Sequence, residues 1–288
     1  MAALIRGFIS AFLWIGVALA QDRFFDAGGV RIRYVDHGAG TPVVLVHGFT
    51  ASIEPAWIET GILPDLARDY RVIAFDLRGH GKSGKPHDPR AYEEIGLDVI
   101  RLMDHLEVKQ AHLVGYSLGG IIVAKLLATH PERFLSAVLG GAAYRRSQSE
   151  RSDRAADEAA REIEAGVYRA LLVSTAPTDE PPLAEEAIRK RSKEISQRND
   201  VLAHAALMRA RRALVVTDAE IARIRVPAVA VVGAADPALP RVEAMQAAWP
   251  GLELRIVPGA AHPTVHPRGL PRHAEFLGAI RKHIARPH

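Results

Sequence analysis

The sequence predicts an α/β fold: a mostly parallel, twisted β-sheet with helices on both faces and a helical cap insertion. Three observations predict it. Short, doubly apolar runs alternate with helical patterns along most of the chain, which is typical of buried parallel strands joined by helices. One of these runs enters a glycine-rich turn with a serine at its apex and continues as an apolar helix. A long stretch at about residues 144–217 interrupts the alternation with helical patterning alone.

The first 20 residues have the pattern of a secretory signal peptide. Arg6 is their only charged side chain, and residues 7–20 form an uncharged, largely apolar run that is shorter than the roughly 20 residues of a membrane span. The run ends in A-L-A, the small-x-small pattern that signal peptidase accepts, and polar Gln21 follows. We therefore predict export, periplasmic or secreted. An uncleaved N-terminal membrane anchor is the alternative.

Composition limits what the rest of the chain can be. Of the 288 residues 48% are hydrophobic, which allows a sizeable core, and the length allows one α/β domain or two small ones. The chain has 37 Lys and Arg against 33 Asp and Glu, a balance too mild to predict a nucleic-acid partner. It has no cysteine, which excludes disulfides, metal thiolates and a thiol nucleophile.

Taken in order, the strands begin with a hairpin. Residues 24–26 and 31–36 flank A-G-G, a pattern that predicts two antiparallel strands. The apolar strands that follow are predicted at residues 43–46, 72–75, 111–114, 135–139, 228–232 and 254–257. A helix between two of them is predicted by one apolar stripe, formed by Ile95, Val99, Leu102, Met103 and Leu106.

The helical insertion at about residues 144–217 follows the predicted strand at residues 135–139. Ligands of parallel sheets bind at the carboxyl ends of the strands. An insertion that leaves from this edge can therefore lie over the site as a lid. Its densest basic run, residues 189–193, lies among glutamates in a helical pattern, which favours a solvated helix face over a polyanion site.

Residues 112–120, H-L-V-G-Y-S-L-G-G, predict a strand, a sharp turn and the start of a helix. Gly115 and Gly119 let the strand and the helix approach closely because they have no Cβ atom. Ser117 is thereby held out beyond the strand end, at a helix N-terminus whose free N–H groups favour negative charge. The pattern indicates a nucleophile elbow, although its three fixed positions alone also occur by chance.

Polar side chains follow the other predicted strands. Residues 47–50 (H-G-F-T) and 76–83 (D-L-R-G-H-G-K-S) come after two of them, and Asp236 and His262 come after the last two. Ser117, Asp236 and His262 therefore stand in the chain order of the α/β-hydrolase triad. A serine hydroxyl needs a neutral imidazole to accept its proton, and the imidazole needs a carboxylate to hold its tautomer.

In these motifs the chain resembles the lid-bearing α/β-hydrolase family of serine hydrolases and esterases, from about residue 23 to the C-terminus. In such a site Ser117 is the nucleophile, His262 the base and then the acid, and Asp236 the residue that orients the imidazole. The resemblance also implies an oxyanion hole formed by the backbone N–H groups of Phe49 and Leu118. It implies one domain over residues 21–288.

The residue types narrow the expected reaction to hydrolysis of an ester of a small, neutral acyl group. Resembling families that open epoxides or displace halide use Asp at the elbow, where this chain has Ser117. The insertion has no obvious charge clamp for a phosphate or carboxylate substrate. Lactonase, amidase, peptidase, C–C hydrolase and perhydrolase chemistry share the triad and stay open. So does a slow or inactive hydrolase-like binding protein.

Each site residue has a purely structural or competing alternative. Asp236 could be only a turn former before Pro237, and His266 or His273 could replace His262 as the base. We expect His47 to orient the oxyanion loop and residues 76–83 to form a hydrogen-bonded turn.

No metal or cofactor is expected. His262 and His266 have the i, i+4 spacing of metal ligands, but Pro263 argues against a helix there. The expected partner is a small-molecule substrate.

If the signal peptide is cleaved, exported protein begins at Gln21. Intact-mass measurement of material from a Gram-negative periplasm checks this expectation. A mass that retains residues 1–20 would support the anchor instead.

Overall fold

A computed structural model of the chain describes residues 21–144, 149–262 and 269–286. The predicted signal peptide and His266 lie outside this part of the chain, so what was expected of them stays a prediction. Within the described ranges, no helix is both long and apolar enough to cross a membrane.

The sheet has eight strands. They are β1 (Arg23–Asp26), β2 (Arg31–His37), β3 (Pro42–Val46), β4 (Arg71–Phe75), β5 (Ala111–Tyr116), β6 (Phe134–Gly140), β7 (Ala228–Gly233) and β8 (Leu252–Val257). Their order in the sheet is β1-β2-β4-β3-β5-β6-β7-β8. β2 is antiparallel to β1 and β4, and all other neighbours are parallel. The predicted fold class is confirmed, and the predicted strands are present with bounds within one or two residues.

Helices cover both faces of the sheet. They are α1 (Ile62–Leu66), α2 (Leu97–His105), α3 (Leu118–Thr129), α4 (Glu150–Glu164), α5 (Arg169–Ser174), α6 (Glu185–Arg198), α7 (Val201–Ala210), α8 (Asp218–Ile221), α9 (Leu239–Ala248) and α10 (Ala274–Ile284). α2, α3 and α9 pack on one face, whereas α1 and α10 pack on the other. Because both faces are covered, every residue of β5 and β7 is buried, which explains why β7 is an uninterrupted apolar run and β5 is largely apolar.

Helices α4 to α7 come between β6 and β7 and form the cap. α4 packs along α7, and the cap has a small apolar core of its own. Its buried members include Ala160, Tyr168 and Met208, and Phe49 from the loop after β3 packs against it. The cap therefore meets the sheet domain at the loop that carries one predicted oxyanion donor.

The crossing of β5 and α3 leaves no room for a side chain at two glycines. A Cβ atom on Gly115 would lie 2.4 Å from the carbonyl oxygen of Gly119, and one on Gly119 would lie 2.0 Å from the carbonyl oxygen of Val46. Both obstacles are backbone atoms, which cannot turn aside as a flexible side chain can. The close crossing fixes Ser117, the residue between β5 and α3, at the carboxyl edge of the sheet.

We expect Gly119→Ala to lower the free energy of unfolding by at least about 2 kcal/mol, because the added methyl group must displace β3. Urea unfolding followed by circular dichroism measures this change. Gly278→Ala is the matched control: its Cβ would meet nothing within 4 Å, so in the middle of α10 it should stabilise by about 0.5 to 1 kcal/mol. Equal midpoints for Gly119→Ala and the wild type would contradict the close crossing.

Candidate active site

Ser117 has the strained backbone of a sharp turn. Its φ of 52° and ψ of −114° lie in a region that residues with a side chain rarely adopt, at a typical cost of about 1 to 3 kcal/mol. Two hydrogen bonds hold it there: its N–H donates to the Gly140 carbonyl at 2.8 Å, and its carbonyl accepts from Ile121 N–H at 3.1 Å. Hydrogen bonds to β6 and to α3 thus stabilise the strained turn. Ser117 remains partly exposed to solvent.

The structure brings Ser117, His262 and Asp236 into one hydrogen-bonded line. His262 Nε2 lies 2.9 Å from Ser117 Oγ, and His262 Nδ1 lies 2.8 Å from Asp236 Oδ2. Asp236 is buried and its other carboxylate oxygen, Oδ1, accepts from Ala238 N–H at 2.7 Å. The Asp236 carboxylate therefore does both things considered for it: one oxygen stabilises the turn at Pro237, and the other contacts the His262 imidazole. His273 instead lies directly before α10, with Nδ1 3.7 Å from a carboxylate oxygen of Glu275.

Tyr116 fixes the loop that carries His262, a role that the sequence did not indicate. Its hydroxyl donates to the His262 carbonyl, and its ring lies 5.6 Å from the imidazole, centroid to centroid. Burial raises the pKa of Tyr116 well above its usual value, so the phenol remains protonated and can donate. Tyr116, the residue before Ser117, thus positions His262, which lies 146 positions further along the chain.

The predicted oxyanion donors lie beside the serine. A Cβ atom on Gly48 would come within 3.2 Å of the Ser117 Cβ atom, which places the loop of Phe49 directly against the elbow. Neither the Phe49 nor the Leu118 amide donates a hydrogen bond to another residue of the described chain. Leu118 is the first residue of α3, where amides have no helical partner. Both N–H groups are therefore free for an incoming oxygen.

His47 supports the loop that carries Phe49. It is fully buried; its Nδ1 donates to the Gly48 carbonyl at 2.8 Å, and its Nε2 accepts from Leu77 N–H at 3.0 Å. Burial lowers the pKa of His47, which favours this neutral, doubly bonded form. With both ring nitrogens occupied, His47 orients the loop and is not placed to take a proton from Ser117.

Asp76 organises the turn at residues 76–83. Its carboxylate accepts from Ile53 N–H at 2.9 Å and from Lys82 N–H at 2.8 Å, and it pairs with Arg33 at 3.2 Å. Ser83 Oγ donates to the Asp76 carbonyl at 2.6 Å. The turn is a buried hydrogen-bonded structure, as expected. Across the described ranges, no group of three or more His, Asp or Glu side chains is arranged to hold a metal ion.

Tyr116→Phe should lower kcat by about tenfold, because the His262 carbonyl loses its donor and the imidazole shifts relative to Ser117. Steady-state hydrolysis of a p-nitrophenyl ester measures the change. Tyr92→Phe is the matched control, since the Tyr92 hydroxyl donates to the Pro86 carbonyl at 2.7 Å in a similarly buried place. Both changes should cost about 1 kcal/mol of stability. An unchanged kcat in Tyr116→Phe would show that the bond only stabilises the fold.

Comparisons with known proteins agree with this architecture. The chain is 40% identical over 119 residues to 2-hydroxymuconate semialdehyde hydrolase of Pseudomonas sp. (strain CF600). That match covers 41% of this chain and 42% of the relative, so the chain spans well under half the length of this curated protein.

Solved structures match over more of the chain. The enol-lactonase from Burkholderia xenovorans LB400 superposes with a TM-score of 0.71 at 22% identity, covering 92% of this chain and 100% of that one. A thermophilic esterase from Thermogutta terrifontis gives a TM-score of 0.69 at 23% identity, over 92% and 98% of the two chains. At such identities the likeness concerns the fold. The sequence profile of the alpha/beta hydrolase fold matches residues 41–267, and the chain therefore belongs to the alpha/beta hydrolase fold family.

Proposed function

We propose that the protein is a serine hydrolase that cleaves an ester of a small, neutral acyl group through an acyl-enzyme intermediate. The observation that carries the proposal is the line of contacts from Ser117 through His262 to Asp236, at 2.9 and 2.8 Å, on a strained elbow. A buried aspartate, an imidazole and a hydroxyl in hydrogen-bond contact are what activation of serine requires.

In the proposed mechanism Ser117 Oγ attacks the substrate carbonyl while His262 Nε2 takes the hydroxyl proton. Asp236 accepts from His262 Nδ1–H, holds that tautomer and stabilises the imidazolium that forms. The imidazolium then protonates the leaving alcohol, and the same base activates the water that hydrolyses the acyl-enzyme. The reaction adds one water across the ester bond.

The negative oxygen of each tetrahedral intermediate would be held by the free N–H groups of Phe49 and Leu118. One such donor is typically worth about 3 kcal/mol of barrier. The N-terminus of α3 adds favourable partial charge at the same place, because its first amides have no helical partner.

A neutral substrate fits the charges around the site. The nearby buried guanidinium of Arg33 is paired with Asp76, and that of Arg78 is paired with Asp98. Neither is free to bind a carboxylate or phosphate. The apolar core of the cap, which contacts Phe49, instead favours an uncharged acyl group.

Lactone hydrolysis is the same chemistry on a cyclic ester, and the fold of an enol-lactonase is similar. A second candidate is hydrolysis of a substrate like the 2-hydroxymuconate semialdehyde named for the relative, favoured by 40% identity over 119 residues.

A turnover panel separates these reactions from amide cleavage, from perhydrolysis and from ligand binding with slow or no turnover. It contains esters of graded acyl length, lactones, an amide and 2-hydroxymuconate semialdehyde. We expect the highest kcat/KM for a short ester. Faster turnover of the semialdehyde would favour the second candidate.

We also propose that the chain is exported and that the mature protein acts on small molecules outside the cytoplasm. The support for export is the signal-peptide pattern of the first 20 residues.

Ser117→Ala and His262→Ala should each lower kcat by about 10⁴-fold, because either change removes the activated nucleophile. The double variant should be scarcely slower than either single one, since the two residues act as a unit. Ester hydrolysis and labelling by a fluorophosphonate probe measure the effect, and circular dichroism checks the fold. Wild-type turnover by Ser117→Ala would place the reaction elsewhere.

A further inference from the structure

A cluster of rings lies where the cap meets the sheet domain. Tyr168 and His204 come from the cap, and Phe49 and His80 come from the loops after β3 and β4. The His80 and His204 rings are 4.5 Å apart, and the Phe49 ring lies 4.6 Å from His204 and 5.7 Å from His80, all between centroids. We call these four residues the seam cluster. Phe49 belongs both to this cluster and, through its N–H group, to the proposed oxyanion hole.

The seam cluster contains two buried polar atoms without a hydrogen-bond partner. His80 and His204 are both fully buried, and the Nε2 atom of each makes no hydrogen bond within residues 21–144, 149–262 and 269–286. An orphaned buried polar group typically costs about 1 to 3 kcal/mol. Two such atoms on facing elements, one from the cap and one from the sheet domain, therefore indicate a place built for a polar group of a ligand.

The other ring nitrogens show which Nε2 atom donates and which accepts. His80 Nδ1 lies 3.1 Å from the Arg78 carbonyl and must donate to it, so Nε2 of the neutral ring is an acceptor. His204 Nδ1 lies 2.9 Å from the Tyr168 hydroxyl. That hydroxyl has no other acceptor in the described chain, so it donates to Nδ1, and His204 Nε2 carries the proton.

Both imidazoles are neutral at ordinary pH. Burial lowers the pKa of His204 to about 3 and that of His80 well below its usual value. A carboxylate would need two donors here and an ammonium group two acceptors. The cluster offers one of each, and a hydroxyl group, which both accepts and donates, satisfies the pair.

We propose that His80 and His204 form a hydroxyl-binding subsite that selects esters or lactones carrying a free hydroxyl group. The substrate hydroxyl accepts from His204 Nε2–H and donates to His80 Nε2. The inference rests on the proposed function, because it supplies substrate recognition for the same serine. A site built to pair with a hydroxyl discriminates strongly against a methyl group of the same size, which would leave both nitrogens unpaired.

Two isosteric pairs of substrates test the subsite. On the acyl side, p-nitrophenyl 3-hydroxybutyrate is compared with p-nitrophenyl 3-methylbutyrate; on the alcohol side, 2-hydroxyethyl butyrate is compared with propyl butyrate. We expect the wild type to favour the hydroxylated member of at least one pair by about tenfold or more in kcat/KM. Ratios near one in both pairs would overturn the inference, as they would mean that the two nitrogens bind only a water molecule.

Variants connect that ratio to the two histidines. His204→Phe and His80→Phe keep a ring of similar size and should bring the ratio close to one. His204→Gln should keep part of it, because its amide can still donate. His283→Phe is the matched control: it replaces another buried histidine, bound to the Pro227 carbonyl at the opposite end of β7. An equal loss of the ratio in His283→Phe would assign the effect to general packing, against the subsite. Thermal unfolding checks that each variant is folded.

A binding measurement separates failure of the subsite from failure of the proposed function. Histidine ¹⁵N NMR spectra of Ser117→Ala protein are recorded with both hydroxylated esters, ethyl 3-hydroxybutyrate and 2-hydroxyethyl butyrate, and with their methyl counterparts, ethyl 3-methylbutyrate and propyl butyrate. At least one hydroxylated ester, and neither methyl counterpart, should shift the Nε2 signals of His80 and His204. Such shifts in a protein whose wild type hydrolyses no ester would reject the function and keep the subsite. Ester turnover with identical spectra for the hydroxylated and the methyl member of both pairs would reject the subsite alone.

Discussion

The close crossing of β5 and α3 is the constraint on which the site depends. Gly119 packs directly on the backbone of β3, and this contact forces the chain to reverse within one residue. Ser117 takes up the strain of the reversal with its positive φ. Because Gly119 also abuts the His47 carbonyl, the same crossing presses the elbow against the loop that carries Phe49. One packing contact therefore sets the positions of both Ser117, the proposed nucleophile, and Phe49, whose N–H is a proposed oxyanion donor.

Hydrogen bonds from buried polar side chains fix the backbone of the neighbouring loops. His47 and Asp76 each use their hydrogen-bonding atoms on backbone amides or carbonyls of the loops after β3 and β4. Unpaired buried polar groups are costly, so these bonds are hard to exchange for other arrangements. Tyr116 does the same for the loop of His262. The described residues of these loops are thus tied by hydrogen bonds to buried side chains of the sheet domain.

The sequence indicated most of the sheet and the proposed triad because both leave local signals. A strand buried on both faces is an apolar run, and Ser117, Asp236 and His262 each follow such a run. The carboxyl ends of parallel strands lie at one edge of the sheet, so three residues that each follow such a strand are expected at that same edge. The bond from Tyr116 to His262 could not be predicted, since nothing near either residue in the chain records it. The seam cluster was hidden for the same reason: His80 lay in a turn and His204 in a helix, each unremarkable alone.

The buried histidines differ in their hydrogen bonding according to whether they lie within the sheet domain or where it meets the cap. His47 belongs wholly to the sheet domain, and both of its ring nitrogens have partners. The rings of His80 and His204 lie 4.5 Å apart across the seam, and each has one nitrogen with no partner among the residues that the structure describes. Polar groups within a single unit can satisfy one another as the chain folds. The two unpartnered nitrogens at the seam are the ones that we propose bind a substrate hydroxyl. The proposed catalytic serine and the proposed hydroxyl subsite thus lie on separate parts of the fold: Ser117 lies between β5 and α3, whereas His204 lies on α7 of the cap.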